Sequence, residues 1–429
     1  MKFQTQLMRC SFFLLLLLFI SVTAFAQQIS LNVTLDSNDW KYKTGEKATF
    51  TVSATKGDQP IPATEIKYEI GLEKMVPSKK GSLVLTNGTQ TIDGGTLDKP
   101  GFLRCVVTAT IEGKPYRGLA TAAFSPEKIQ PTTTVPKDFL SFWNKAKADA
   151  AKIPMDAQVT LLPEKSTATV NVYEVSIQNF KLGSRIYGIV SVPKKEGKYP
   201  AILKVPGAGV RPYGADVAQA EKGFIVMQIG IHGISVTMPL ADYTKLANGE
   251  LKGYPFFNHE NKDDYYFKRV YMGCIRSIDY IFSLPQFDGK NLAVAGGSQG
   301  GALTIVTAAL DPRVKHMVAY FPGLADLTGY QHGRVGGWPH MLKPADVSKA
   351  AIETSKYYDV VNFARLIKIP GFYSWGYNDE TCPPTTAYAA YNVITAPKEV
   401  LIVKEAGHKY FPEQRTRMNS WIQEKLTAK

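Results

Sequence analysis

Ser298 lies in the run Gly296-Gly297-Ser298-Gln299-Gly300, the first chemical signal in this 429-residue sequence. A serine hydroxyl becomes a useful nucleophile when a neighbouring base takes its proton. The apolar run Leu292 to Ala295 precedes the glycines, and Ala302 to Leu310 follows them. That pattern reads as strand, sharp turn and buried helix, the setting of a nucleophile elbow. Side chains at Gly296 or Gly300 would collide with the crossing strand and helix, so the turn would hold Ser298 Oγ exposed above the sheet. The backbone N–H of Gln299 then becomes a candidate oxyanion donor. The competing reading is a Gly-rich turn whose serine only caps the helix.

A base and an orienting acid must follow. In α/β-hydrolases the chain order is Ser, then Asp or Glu, then His. Of six histidines, His316, His332, His340 and His408 come after Ser298. His316 falls inside the strand-like run Val314 to Phe321. His332 and His340 lie in a Gly-rich stretch ahead of any good acid. His408 follows the run Val400 to Val403 through Lys404-Glu405-Ala406-Gly407, a loop at a strand's C-terminal end, where active sites of this fold class gather. It is the expected base. Asp379 and Glu380 both lie just past the strand-like run Gly371 to Trp375. Asp379 is nearer the strand and is preferred, with Glu380 as the fallback and a turn-capping aspartate as the competing reading. The second oxyanion amide should come from the loop after an earlier strand. Ala208, after Ala201 to Val205, is the candidate there, against an ordinary Pro-Gly turn. Trp338 either lines the pocket from a lid-like insertion or packs in a surface loop. No metal spacing is present, and the chemistry requires no cofactor.

From about Val135 onward the chain resembles the acetyl xylan esterase/cephalosporin C deacetylase family of carbohydrate esterases. The resemblance rests on Pro136-Lys137-Asp138-Phe139-Leu140-Ser141-Phe142-Trp143, on Gly297-Ser298-Gln299-Gly300-Gly301 and on Leu310-Asp311-Pro312-Arg313-Val314. It rests above all on Asp379-Glu380-Thr381-Cys382-Pro383-Pro384, which is similar to the family's Asp-x-x-Cys-Pro-Pro and favours Asp379 over Glu380. Three stretches depart from the family pattern. His232-Gly233-Ile234 stands where Arg-Gly-Gln is usual, Lys409 where Glu commonly follows the histidine, and Pro206-Gly207-Ala208 where His-Gly-Tyr is usual. These departures bear on substrate range and assembly. The resemblance implies a serine esterase that removes acetyl groups from acetylated oligo- or polysaccharides. The alternatives are an esterase or peptidase for other acyl groups, and a non-catalytic carbohydrate-binding protein.

These residues need a scaffold. Strand-like runs alternate with helix-length segments over residues 129–429, which argues for an α/β-hydrolase fold with a mostly parallel sheet. Residues 27–128 read differently. Ala48-Phe50-Val52-Ala54 and Leu103-Cys105-Val107-Ala109-Ile111 alternate with period two between turn clusters such as Asn87-Gly88. This is the pattern of a small all-β, immunoglobulin-like sandwich domain. The Pro- and Thr-rich stretch Ser125 to Pro136 reads as a linker. Residues 1–26 read as a signal peptide: Lys2 and Arg9, the apolar run Phe12 to Ile20, then Ala24-Phe25-Ala26. Export to the periplasm or the medium is therefore expected, with Gln27 as the new N-terminus and no later membrane insertion. Cys105, Cys274 and Cys382 show no paired spacing and are read as buried small hydrophobes. The formal charge of +13 loses two units with the signal. The rest is scattered, with no basic–aromatic stripe of the kind nucleic acid requires. Composition is that of an ordinary globular chain, at 45% hydrophobic and 20% charged.

Overall fold

The computed structural model describes residues 28–427. The expected signal segment lies outside them. Residues 29–124 form strands β1 (Ile29–Leu35), β2 (Lys41–Tyr42), β3 (Ala48–Lys56), β4 (Gln59–Pro60), β5 (Thr64–Leu72), β6 (Lys79–Leu85), β7 (Thr89–Gly95), β8 (Gly101–Ile111) and β9 (Lys114–Phe124). One sheet has the order β1-β3-β4, with β7 also on β3; the other runs β2-β9-β8-β5-β6. Period-two patterning produces this arrangement. Phe50, Val52, Ile66, Cys105 and Val107 are fully buried, while Thr49, Thr51 and Ser53 on the alternate positions of β3 are half-buried. This all-β region is the sandwich expected from the alternation.

The second region carries β10 (Gln158–Leu161), β11 (Val170–Gln178), β12 (Arg185–Pro193), β13 (Tyr199–Lys204), β14 (Ile225–Gly230), β15 (Phe287–Gly297), β16 (His316–Tyr320), β17 (Gly371–Trp375) and β18 (Lys398–Ile402). Their order is β10-β11-β12-β14-β13-β15-β16-β17-β18. The pairs from β10 to β14 are antiparallel, and every later pair is parallel. The buried runs of β13, β15 and β16 have no polar face because helices cover them. The helices that bear on the site are α1 (Phe139–Ala151), α2 (Tyr266–Ser283), α3 (Gln299–Leu310), α4 (Pro384–Asn392) and α5 (Pro412–Thr427). Val270, Cys274, Ile278 and Ile281 form the buried stripe of α2, which stops short of Pro285. Helix α5 covers the sheet face that bears His316 and Tyr320. Trp421 lies edge-on to His316, and the Tyr320 hydroxyl donates to the Gln414 carbonyl at 2.6 Å.

Two features add to the sequence reading. β10 and β11 are strands beyond the runs read from the sequence: β10 alternates Val159 and Leu161 with polar residues yet buries none of its side chains, whereas β11 buries Val170, Val172, Val175 and Ile177. The stretch Ser125 to Pro136 is not a free tether. Thr132 donates through its N–H and its hydroxyl to Asp326 at 2.6 and 2.8 Å, and Asn392 donates to the Pro126 and Ile129 carbonyls. One 3-10 turn, Pro126–Lys128, interrupts it, and partners far along the chain fasten it.

Candidate active site

Ser298 sits between β15 and α3 at φ 61° and ψ −127°, a backbone conformation that a side-chain-bearing residue rarely adopts. Its N–H donates to the Tyr320 carbonyl at 3.1 Å, and its own carbonyl accepts from Gly323 at 3.0 Å. The neighbouring glycines permit the turn. A Cβ on Gly296 would lie 2.6 Å from the Val205 and Gly300 carbonyl oxygens, and one on Gly300 would lie 2.4 Å from Val205 O. The elbow is therefore pressed against the loop after β13.

His408 Nε2 lies 2.9 Å from Ser298 Oγ, and His408 Nδ1 lies 2.8 Å from Asp379 Oδ2. Asp379 is fully buried. Its other oxygen accepts from the N–H groups of Thr381 and Cys382, both at 2.8 Å. These bonds fix the carboxylate plane, so one oxygen remains for the imidazole. The loops that carry Asp379 and His408 are stitched together: Tyr377 N donates to Lys404 O and Asn378 N to Ala406 O. Phe321 packs on the His408 ring with centroids 4.7 Å apart. Glu380 engages Arg117 of β9 through two bonds, 2.9 and 2.7 Å.

A cavity of about 600 Å³ opens over Ser298 and His408. Its walls include Ala208, Arg211, Phe321, Trp338 and Tyr410. Trp338 is half-buried in that wall. Ala208 lines the cavity, and Gln299 opens α3 directly after Ser298. Cys382 is buried with its Sγ 4.0 Å from Ser298 Oγ, and burial pushes its thiol well above the ordinary value. All three described cysteines are buried and free. Among the described residues no cluster of His, Cys, Asp and Glu could hold a metal ion, and no helix is long and apolar enough to cross a membrane.

Several groups around the site have no motif to announce them. The Gln299 side chain, fully buried, donates to Pro206 O at 3.2 Å and accepts from the Tyr254 hydroxyl at 2.6 Å. It thereby ties the Ala208 loop to the elbow. His232 is buried, with Nε2 3.1 Å from Gly209 O and Nδ1 2.7 Å from Tyr266 Oη. A carbonyl only accepts, so Nε2 carries the proton and Nδ1 accepts from the tyrosine. Burial pushes this imidazole down to about 4. Trp40 and Tyr42 of the β region are buried packing residues. His332 is exposed, and His340 bonds to Tyr330 and Gly336 O, outside the cavity lining.

Fold and site together define a serine esterase of the α/β-hydrolase class. The chain belongs to the acetyl xylan esterase (AXE1) family, whose sequence profile matches residues 126–425. A relative named acetyl esterase Axe7A, from Xylanibacter ruminicola, is 40% identical over 394 residues, covering 90% of this chain and 89% of its own. An acetyl xylan esterase from Paenibacillus sp. R4 superposes with a TM-score of 0.61 at 30% identity, over 70% of this chain and 98% of its own. Acetyl xylan esterase 1 from Thermoanaerobacterium sp. shares the fold, also at TM-score 0.61, with 22% identity over 71% and 98%. The expected family and the expected α/β-hydrolase fold are both borne out.

Proposed function

We propose that this chain is an exported esterase that removes O-acetyl groups from acetylated xylan or related acetylated sugars, using Ser298, His408 and Asp379. The observation that carries this reading is the unbroken hydrogen-bond line Ser298 Oγ–His408–Asp379, at 2.9 and 2.8 Å. His408 takes the Ser298 proton as Oγ attacks the acetyl carbonyl, and Asp379 orients the ring and stabilises its charged form. The amides of Gln299 and Ala208 bind the oxyanion. His408 then protonates the departing sugar oxygen. Water, deprotonated by the same imidazole, releases acetate from Ser298. A short acyl group fits this reading, with Cys382 Sγ 4.0 Å from Oγ and Phe321 and Trp338 in the cavity wall.

The test is hydrolysis of an aryl acetate and of acetylated xylo-oligosaccharides by protein collected outside the cytoplasm, with Gln27 expected as its first residue. Ser298→Ala should reduce kcat by roughly 10⁶. Wild-type turnover in that variant would end the proposed mechanism. Faster turnover of butyryl or longer esters than of acetyl esters would move the substrate assignment to other acyl groups.

A further inference from the structure

The loop that carries Asp379 is clasped by side chains from the all-β region. Arg104 lies on β8, in the otherwise apolar run Phe102 to Val107, and is 5% exposed. Its Nη2 faces the Tyr377 carbonyl at 2.9 Å and the Asp379 carbonyl at 3.1 Å. Its Nε donates to the Thr121 hydroxyl at 2.9 Å, and Thr121 in turn donates to Asn378 Oδ1 at 3.0 Å. Glu73, 1% exposed, accepts from Arg104 at 3.3 Å. Its other oxygen accepts from the N–H and hydroxyl of Thr385, at the start of α4. Both ends of the segment from Tyr377 to Thr385 are thus held from across the interface.

We propose that Arg104, with Glu73 and Thr121, is a positioning unit for catalysis, in which the all-β region holds the Asp379 loop at the height its bond to His408 requires. The inference rests on the assignment of Asp379 as the orienting acid. A buried guanidinium that faces two carbonyls and a carboxylate is held rigidly. The Asp379 carbonyl and the Asp379 carboxylate belong to one residue, so displacement of the first moves the second. Misplacement by about 1 Å in such a site reduces turnover by roughly 100-fold. The acetyl xylan esterase profile begins at residue 126, so this unit lies outside it.

The test compares four full-length variants by kcat and KM on an aryl acetate, with active sites counted by a serine-directed phosphonate. Arg104→Met combined with Glu73→Gln removes the clasp and leaves no carboxylate buried without its cation. Val52→Ala weakens the same β region at a core position away from the clasp. Asp379→Asn tests the acid itself. Thr121→Val removes one strand of the clasp at constant volume. The expected result is a kcat lower by roughly 10- to 100-fold per titrated site in the double variant, with KM within about twofold. Val52→Ala should keep its kcat, and Asp379→Asn should lose far more than the double variant. Unchanged kcat in the double variant, beside a crippled Asp379→Asn, would overturn the positioning role alone. Unchanged kcat in Asp379→Asn would overturn the acid assignment and this inference with it. Should the double variant yield no folded protein, Thr121→Val decides by the same split, with a loss of about 3- to 10-fold expected.

Discussion

At the residue scale, the buried histidine His232 shows what the protein's interior does to a proton. Its ring is satisfied as the neutral tautomer, and Arg269 nearby opposes a second positive charge. The unfolded imidazole takes its proton near 6.5, the folded one near 4. Between those values the unfolded chain binds the extra proton, so stability falls as pH falls. The slope from this one group is at most about 1.4 kcal/mol per pH unit. Glu73 and Asp359, pushed up to about 7 by burial, act with the opposite sign, since they favour the folded state as pH drops through 7. They act alike in wild type and His232→Asn, so the difference between the two isolates the histidine. Urea midpoints from pH 7 to 4.5 should fall more steeply in wild type; parallel curves would show that burial leaves this group unshifted. His232 could be noticed in sequence only as a departure from a family pattern. Ser298, Asp379 and His408 could be picked as candidates because each sits a few residues past a readable strand. Arg104 was not, because its partner Asp379 is 275 residues away and only the fold brings them together. The available signal was one charge inside an apolar strand.

At the scale of elements, the site depends on how closely the loops after β17 and β18 run together. Gly376 is where they meet. A Cβ there would lie 2.0 Å from the Ala406 carbonyl oxygen. The bonds Tyr377 N to Lys404 O and Asn378 N to Ala406 O, at 3.2 and 3.1 Å, flank that contact. Gly376→Ala must therefore push apart the two loops that bear Asp379 and His408. We expect kcat to drop by roughly 100-fold, with a loss of stability of about 1–3 kcal/mol from overpacking. Steady-state kinetics alongside thermal melts check this; a normal kcat would mean that the loops can part without disturbing the imidazole. The strands whose C-terminal ends carry the candidate site were readable from apolar runs. β10 and β11 escaped: β10 offers only Val159 and Leu161 and buries neither, and β11 alternates cleanly only over Val170 to Val172. The strap from Ser125 to Pro136 was readable as a linker, but composition says nothing of Asp326 or Asn392, which hold it.

At the scale of the whole molecule, the question is whether the all-β and α/β regions act as one body. The solved esterases are matched almost end to end by about 70% of this chain, and the family profile begins at residue 126, so the all-β region before it is an addition. The relative from Xylanibacter ruminicola, by contrast, aligns over 90% of the chain, which includes most of that addition. The junction has the character of a protein interior. Phe102 on β8 is 1% exposed and packs its ring against Tyr377 and Tyr388, with centroids 5.3 and 5.7 Å apart. Arg104 follows two residues later on the same strand and reaches the same loop. One strand thus supplies both an apolar anchor and a polar clasp, and neither can be exposed without loss: the aromatic would meet water, and the ion pair would leave unpaired groups behind. Such a junction couples unfolding, so calorimetry should give a single cooperative transition. Phe102→Ala removes the anchor and should lower stability by about 3–5 kcal/mol. It should also split the transition, since the α/β region then loses its apolar hold on the sandwich while keeping its own core. Two transitions already present in the wild-type protein would show that the regions melt independently, and that the contacts around Phe102 dock them without making them one folding unit.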